Sequence, residues 1–437
     1  MDIAVFGLGY VGAVSAACLA DRGHRVIGVD TNPVKVDLMN QGQSPIVEGR
    51  LPELVARARA SGRLQATADW HEAVARTEMA WICVSTPSQA NGSIDTRYLR
   101  VVGEQLGQAL GQRGGHYSIV VRSTVLPGTT RGEFVPVVER CSGRGMGDGF
   151  EVSFHPEFLR EGSAVADFYD PSLIIIGAMD PRKPSALASL YGDMSAPIRH
   201  TSVEVAETVK YASNAWHALK VCFANEIGTF CRQHGVDGRE VMDLFAQDRK
   251  LNLSEKYLRP GFAFGGSCLP KDVRALVYQA RRHDLDLPLL NAVLPSNQRH
   301  VERAFDLVVE SGRRRVGLMG LSFKPGTDDL RESPLVELAE RLIGKGYEVR
   351  IFDPNVNLSV LLGANRDYIQ TRIPHVSRLM VDSEGELLAH AEVVVLGHKD
   401  PAYQSALGTT RPDLLVIDLA GFPPGSVAEG SYRGICW

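Results

Sequence analysis

The chain has 437 residues, 44% of them hydrophobic and 22% charged, with a formal net charge of −4. That length is too great for one ordinary core and predicts two or three domains at roughly 100–200 residues each. The composition excludes a disordered or low-complexity protein, and the slight acidity gives no electrostatic footprint for nucleic acid or an anionic membrane.

The seven cysteines are an odd number, and Cys18, Cys83, Cys222 and Cys231 sit in apolar surroundings. Reduced thiols are the expectation. With no basic leader at the start and no run near the ~20 apolar residues of a membrane span, the expected location is cytoplasmic.

In chain order, residues 3–6 form a short β-favouring run, residues 7–12 a glycine-punctuated turn, residues 13–22 a helix by apolar spacing, and residues 25–29 a second strand. Strand signals follow at 79–84, 118–122, 152–154 and 173–177, alternating with helical stretches. From 203 to about 234 the pattern is one long helix without proline, with further helices at 238–245 and 271–283. The alternation restarts with strand 316–320, helix 335–345 and strands 348–352, 393–396 and 414–418. The expected fold is α/β: two Rossmann-like, doubly wound domains joined by a helical middle. The division is a dinucleotide-binding part at 1–200, a helical part at 201–300 and a second Rossmann-like part at 301–437. The strand at 316–320 leads into GLSFKPG instead of a dinucleotide fingerprint, so the two sheets should bind different things.

Gly7, Gly9 and Gly12 form a GxGxxG between a strand and a helix. In that context the first glycine permits the tight turn, the second admits a pyrophosphate against backbone N–H groups, and the third lets the helix pack on the strand. Asp30 closes the next strand where a carboxylate accepts from a ribose 2′-hydroxyl and repels a 2′-phosphate. NAD is preferred over NADP on that ground, with Lys35 nearby.

In RPGFAFGGSCLPKD, Cys268 follows a Gly-Gly turn and precedes a helix. The N–H groups and positive end of that helix, with Lys271 adjacent, favour a thiolate, which makes Cys268 the candidate nucleophile. On the long helix, steps of ~100° put Lys210, Asn214, His217 and Asn225 on one face. Val209, Ala212, Trp216, Leu219, Phe223 and Ile227 take the other. Asn and His are weak helix formers, which favours a functional stripe over a solvated one. HPEFLREGSA supplies Glu157 and Glu161, either of which could serve as acid or base. In GLSFKPGTDDLRESP, Lys324 follows a strand end and Arg331 precedes a Ser-Pro helix start, as expected where phosphates bind.

Taken together, GLGYVG at 7–12, STP at 85–87, ST at 123–124, PEFLREG at 156–162, GFAFGGSCLPKD at 261–272 and FKPGTDDLRESP at 323–334 resemble the nucleotide-sugar 6-dehydrogenases. The match covers nearly the whole chain in order. VRSTVLPGT, NAWHA, KLNLSEKYLRPGF and the terminal GICW are more similar to the GDP-mannose branch than to the UDP-glucose branch.

The resemblance implies roles residue by residue. Cys268 is the nucleophile, Lys210 stabilises oxyanions, Asn214 and Asp272 hold a catalytic water with Thr124 nearby, and Glu157 is a general base. Tyr10, Val11, Asp30, Lys35, Thr86, Thr124, Lys271 and Arg331, with the three glycines, match cofactor contacts. Glu161, Lys210, Asn214, His217, Asn225, Tyr257, Arg259, Phe262, Gly265 and Lys324 match nucleotide-sugar contacts. Two positions depart from the pattern: His155 stands where Asn is common, and Lys256 where a second tyrosine is found.

The implied reaction is a four-electron oxidation of GDP-mannose to GDP-mannuronate by two NAD, through a thiohemiacetal and a thioester on Cys268, with no metal. It implies a homodimer or higher homo-oligomer built on the long helix and precursor supply for an alginate-like polyuronate. UDP-glucose 6-dehydrogenation would use the same catalytic residues. A non-catalytic NAD-binding protein would need neither Cys268 nor Lys210, and a two-electron hydroxyacid dehydrogenase would need no thiol.

Overall fold

The structure is a computed structural model that describes all residues except 183–184, 234, 250–258, 283, 285–286, 359–360, 402, 404–410, 412 and 424–431. It divides into two compact units, Met1–Ser213 and Asn214–Trp437.

In the first unit the strands are β1 (Asp2–Phe6), β2 (Arg25–Val29), β3 (Leu64–Thr67), β4 (Met79–Ile82), β5 (Tyr117–Val121), β6 (Phe150–Phe154), β7 (Ile174–Ala178) and β8 (Ile198–Ser202). They form one sheet in the order β3-β2-β1-β4-β5-β6-β7-β8. Every pairing is parallel except β6 with β7. Near-continuous apolar runs are what a sheet covered on both faces requires. Alternation divides them between two cores: Ile3, Val5, Val26 and Trp81 pack on one face, and Ala4, Phe6, Ile27 and Ile82 on the other. The order reverses between β1 and β4, so the loops after β1, β2, β4 and β5 converge where doubly wound sheets bind ligands.

The second unit carries β9 (Arg315–Met319), β10 (Glu348–Phe352), β11 (Val393–Leu396), β12 (Leu415–Asp418) and β13 (Tyr432–Gly434). Their order is β10-β9-β11-β12-β13, all parallel. Helix Leu269–Arg282 follows Cys268 directly, and helix Pro334–Gly344 is capped by Ser333, whose Oγ accepts from the Leu335 N–H. The long helix runs Val203–Gln233, beginning in the first unit and ending in the second.

Two Rossmann-like sheets match the expected fold. The differences are local. The first helix begins at Tyr10, three residues earlier than apolar spacing predicts, because Gly9 is its cap and Gly12 already belongs to its first turn. β3 and β8 are short, partly polar edge strands with too little apolar alternation to be seen. The reversal of β7 depends on pairing, which periodicity does not encode. The 23-residue helix Pro288–Glu310 has no counterpart among the predicted elements.

Candidate active site

At the C-terminal edge of the first sheet the three glycines divide their work. Gly7 has φ +91°, and a Cβ there would stand 2.9 Å from the Cys83 carbonyl oxygen. A Cβ at Gly12 would run into the Gly7 carbonyl, whereas nothing lies within 4 Å of the Cβ position at Gly9. Open space therefore faces the start of helix Tyr10–Asp21, which has no side-chain cap bond and no acidic residue in its first turn. Backbone N–H groups at such an end suit a diphosphate.

Asp30 Oδ2 accepts from the Leu8 N–H at 2.7 Å and Oδ1 from the Asn32 N–H at 2.8 Å, with Lys35 Nζ 3.7 Å away. The carboxylate thus holds the glycine turn and keeps lone pairs that suit a sugar hydroxyl donor. These residues fit a dinucleotide. Tyr10 Oη accepts from the Gly162 N–H at 2.9 Å, tying the helix start to the PEFLREG loop, and Val11 beside it is half-buried. Thr86 Oγ1 donates to the Thr124 carbonyl at 2.7 Å, and Ser123 Oγ donates to the Val84 carbonyl at 2.7 Å. The loops after β4 and β5 are cross-linked by hydroxyls, which explains why the short STP and ST motifs carry them.

Glu157 and Lys210 are both buried and pair at 2.7 Å. Glu157 Oε2 also accepts from the Leu159 N–H at 2.7 Å. Burial pushes the Glu157 carboxyl up, but the Lys210 ammonium, Arg122 and the Leu159 N–H together outweigh it and hold the group below its ordinary value. Glu161 lies half-buried in the same loop.

Beneath this pair sits Arg122, buried over the Trp81 ring at 4.8 Å from its centroid. His155 accounts for its own departure from the family pattern. Its Nδ1 donates to the Ile175 carbonyl at 2.7 Å, which leaves Nε2 to accept from the Tyr191 hydroxyl at 2.6 Å. Burial, with Arg122 adding to it, holds this imidazole neutral, well below its ordinary value.

In the second unit Cys268 is exposed, its Sγ 3.8 Å from Ser267 Oγ. Its carbonyl accepts from the Asp272 N–H at 2.9 Å, the first bond of the helix. Asp272 is buried and accepts from the Asn214 amide, with Lys271 Nζ 3.3 Å from its other oxygen. Cys268, Lys271, Asp272 and Asn214 are thus one cluster at a helix start.

Asn225 Oδ1 accepts from the Gly261 N–H at 2.9 Å and Nδ2 donates to the Phe262 carbonyl at 3.3 Å. It shapes the loop carrying Phe262, which packs on the second unit's core. His217 on the same helix is half-buried. Arg259 is exposed and pairs with Asp243 at 3.2 Å. Ser322 Oγ donates to the Lys324 carbonyl at 2.9 Å, and Arg331 forms a bidentate pair with Asp329. Tyr257 and Lys256 lie outside the described residues.

Sequence reasoning missed Arg122, Tyr191 and His300, whose Nε2 donates to the Gly261 carbonyl at 2.6 Å. Charge inside VVRST was a visible signal for Arg122, since four apolar or small neighbours leave a guanidinium little surface. Nothing local marks Tyr191 or His300. Among the described residues, no group of three or more His, Cys, Asp and Glu is placed to hold a metal ion.

Family models match along the whole chain: the NAD-binding domain of the UDP-glucose/GDP-mannose dehydrogenase family at residues 1–195, its central domain at 204–299 and its UDP-binding domain at 317–421. The chain is 51% identical over 437 residues to GDP-mannose 6-dehydrogenase of Pseudomonas aeruginosa, covering 100% of both chains. A crystal structure of a ternary complex of GDP-mannose dehydrogenase from that organism superposes with a TM-score of 0.58, again at 51% identity and 100% coverage of both chains. A UDP-glucose dehydrogenase structure from Pyrobaculum islandicum gives a TM-score of 0.89 at 36% identity, covering 100% of this chain and 97% of that one. With the dinucleotide turn, the helix-start thiol and the strand orders all in place, this chain belongs to the UDP-glucose/GDP-mannose dehydrogenase family and takes NAD as its cofactor.

Proposed function

We propose that this chain oxidises the C6 hydroxymethyl group of GDP-mannose to a carboxylate, giving GDP-mannuronate, with Cys268 as covalent carrier. The observation that carries the reading is an exposed thiol at the head of a helix whose first turn presents a buried Asp272–Asn214 pair. A two-electron alcohol dehydrogenase has no use for that arrangement. The preference for GDP-mannose over UDP-glucose is supported by full-length identity to GDP-mannose enzymes.

Gly7, Gly9, Tyr10, Val11, Gly12, Asp30, Lys35, Thr86 and Thr124 would hold NAD, with Lys271 and Arg331 read as further contacts from the family resemblance, and the bound cofactor would supply the hydride acceptor for each of two oxidations. Lys210 donates to the substrate oxygen as negative charge develops there. Turning toward that oxygen loosens its pair with Glu157, whose burial then raises its proton affinity when a base is needed. The Cys268 thiolate forms a C–S bond to the aldehyde carbon, which keeps a reactive intermediate attached. After the second oxidation, a water oriented by Asn214 and Asp272 attacks the thioester carbon, and the C–S bond breaks to return the thiolate.

One alcohol, one water and two NAD⁺ give one carboxylate, two NADH and three protons. Glu161, His217, Tyr257, Arg259, Phe262, Gly265 and Lys324 are read as nucleotide-sugar contacts, with Asn225 acting through the 261–262 loop. The functional division is a cofactor part at 1–200, a helical part with the thiol at 201–300 and a nucleotide-sugar part at 301–437. The working form is read as a homodimer in the cytoplasm, and the product as an activated uronic acid for an alginate-like polymer.

The test is NADH formed per sugar consumed, with acid product assayed in Cys268→Ala. A ratio of two and loss of acid in the variant are expected, with both ligands still bound. A ratio of one, or undiminished acid without the thiol, would overturn the covalent route. On the branch, kcat/KM for GDP-mannose should exceed that for UDP-glucose at least tenfold, about the 1.4 kcal/mol that one or two base contacts supply. Comparable values would move the chain to the UDP-glucose branch.

A further inference from the structure

In the second unit the loop before the cysteine helix and the loop after β9 are interlocked. A Cβ at Gly265 would run into the Glu332 carbonyl oxygen and stand 2.6 Å from Pro334 Cδ. Gly266 has φ +85°, and its Cβ position is 2.9 Å from the Phe323 ring. Glu332 itself holds φ 51°, in the left-handed region that a side chain disfavours. Its carboxylate receives two parallel bonds from the Arg274 guanidinium, at 2.7 and 2.5 Å. Arg274 stands on the cysteine helix, six residues after Cys268, while Glu332 directly follows Arg331.

These features form one device. The left-handed conformation turns the Glu332 carbonyl onto Gly265, and the fork from Arg274 holds that conformation in place. A half-exposed ion pair adds little to overall stability, but a bidentate one fixes geometry in a way a single bond does not. The two groups it joins are the helix that begins at the thiol and the loop that bears Lys324 and Arg331.

We propose that Arg274 and Glu332 form a clasp that sets the register of the Cys268 loop against the 323–334 loop, making both positioning residues for the steps at the thiol. The inference rests on the reading of Cys268 as nucleophile. Neither residue needs to touch substrate or cofactor. Their work is to keep the sulfur at the helix start while the neighbouring loop holds the nucleotide sugar.

The test uses the full chain with Arg274→Lys, Arg274→Gln, Glu332→Gln, Glu332→Gly and the double variant Arg274→Gln/Glu332→Gln. Glu332→Gly is the discriminating variant, because it removes the carboxylate while supplying the residue best suited to φ 51° and so keeps the fold. The clasp predicts that kcat on GDP-mannose falls at least tenfold in Glu332→Gly, Glu332→Gln and Arg274→Gln, while the thermal midpoint of Glu332→Gly stays at the wild-type value. Arg274→Lys should lose less, and the double variant should be no worse than either single one.

A second readout needs no turnover. Cys268 is already exposed, so loosening its loop adds little access, and alkylation by iodoacetamide, followed on its own peptide, should slow at least threefold in the same variants. Wild-type kcat and alkylation in Glu332→Gly, or additive losses in the double variant, would overturn the clasp. If wild type fails to reduce NAD with GDP-mannose, the functional reading falls instead, and the alkylation series alone decides the clasp.

Discussion

Lys210 and Glu157 show how a buried pair changes meaning when one member is removed. With Lys210 present, the Glu157 carboxyl lies below its ordinary value, so the unfolded chain binds more protons. The pair's stabilisation is then present above the ordinary carboxylate range and lost only as pH falls through the lowered value. Lys210→Met leaves burial as the dominant influence, which raises the carboxyl. The variant should lose on the order of 3 kcal/mol at neutral pH. Between about pH 7 and 4 its deficit should shrink, since a protonated Glu157 carries no buried charge. Thermal midpoints of both proteins across that range check the sign, and a deficit that grows toward acid would refute it.

The glycines separate fold from function at the same scale. Gly12→Ala should fold poorly, because the new Cβ meets the Gly7 carbonyl. Gly9→Ala has open space and a φ of −76°, so it should keep its melting temperature while NAD, titrated calorimetrically, binds at least tenfold more weakly. All three glycines were legible as a motif. Which of them the fold itself needs became visible only with the neighbouring carbonyl in place.

At the scale of elements, both sheets use one trick with different outcomes. Asp30 follows β2 and accepts from Leu8 in the turn after β1, and Asp353 follows β10 and accepts from the Leu321 and Ser322 N–H groups at 2.8 and 3.0 Å in the turn after β9. The Asp353 carboxylate also accepts from Ser322 Oγ and is wholly buried, whereas Asp30 keeps some exposure. Asp30→Asn should therefore weaken NAD binding more than the fold. Asp353→Asn puts an amide N–H₂ against backbone donors and should cost about 2 kcal/mol without changing NAD affinity. Denaturation and NAD titration of both variants separate the two roles, and weakened NAD binding in Asp353→Asn would contradict the assignment.

The spacing from GLGYVG marks the first carboxylate in the sequence, while Asp353 has no such fingerprint before it and nothing local to mark it. The long helix was legible in length and in its two faces. The structure adds that the polar stripe turns inward at Lys210, Asn214 and Asn225, while the apolar face divides, with Val209, Leu219 and Ile227 packed on buried clusters and Trp216 and Phe223 exposed. Helical periodicity assigns residues to a face, but which face turns inward depends on partners distant in sequence.

For the whole molecule, that division leaves apolar surface to explain. Trp216 is 47% exposed and Phe223 41% on the long helix, and on helix Gly238–Gln247 Leu244 is 63% exposed and Phe245 38%. The Phe223 and Phe245 rings lie 5.8 Å apart, so the two helices present one patch. Large aromatic and aliphatic side chains grouped in this way mark an association surface more than a solvated one. A second copy of the chain would cover such a patch by symmetry. Sedimentation at assay concentration should therefore give twice the 47.6 kDa chain mass. Trp216→Ser combined with Phe223→Ser should shift the protein toward monomer and reduce turnover together, as expected if the buried stripe on the same helix needs that helix held rigid. A wild-type monomer with full activity would show that the patch serves something other than self-association.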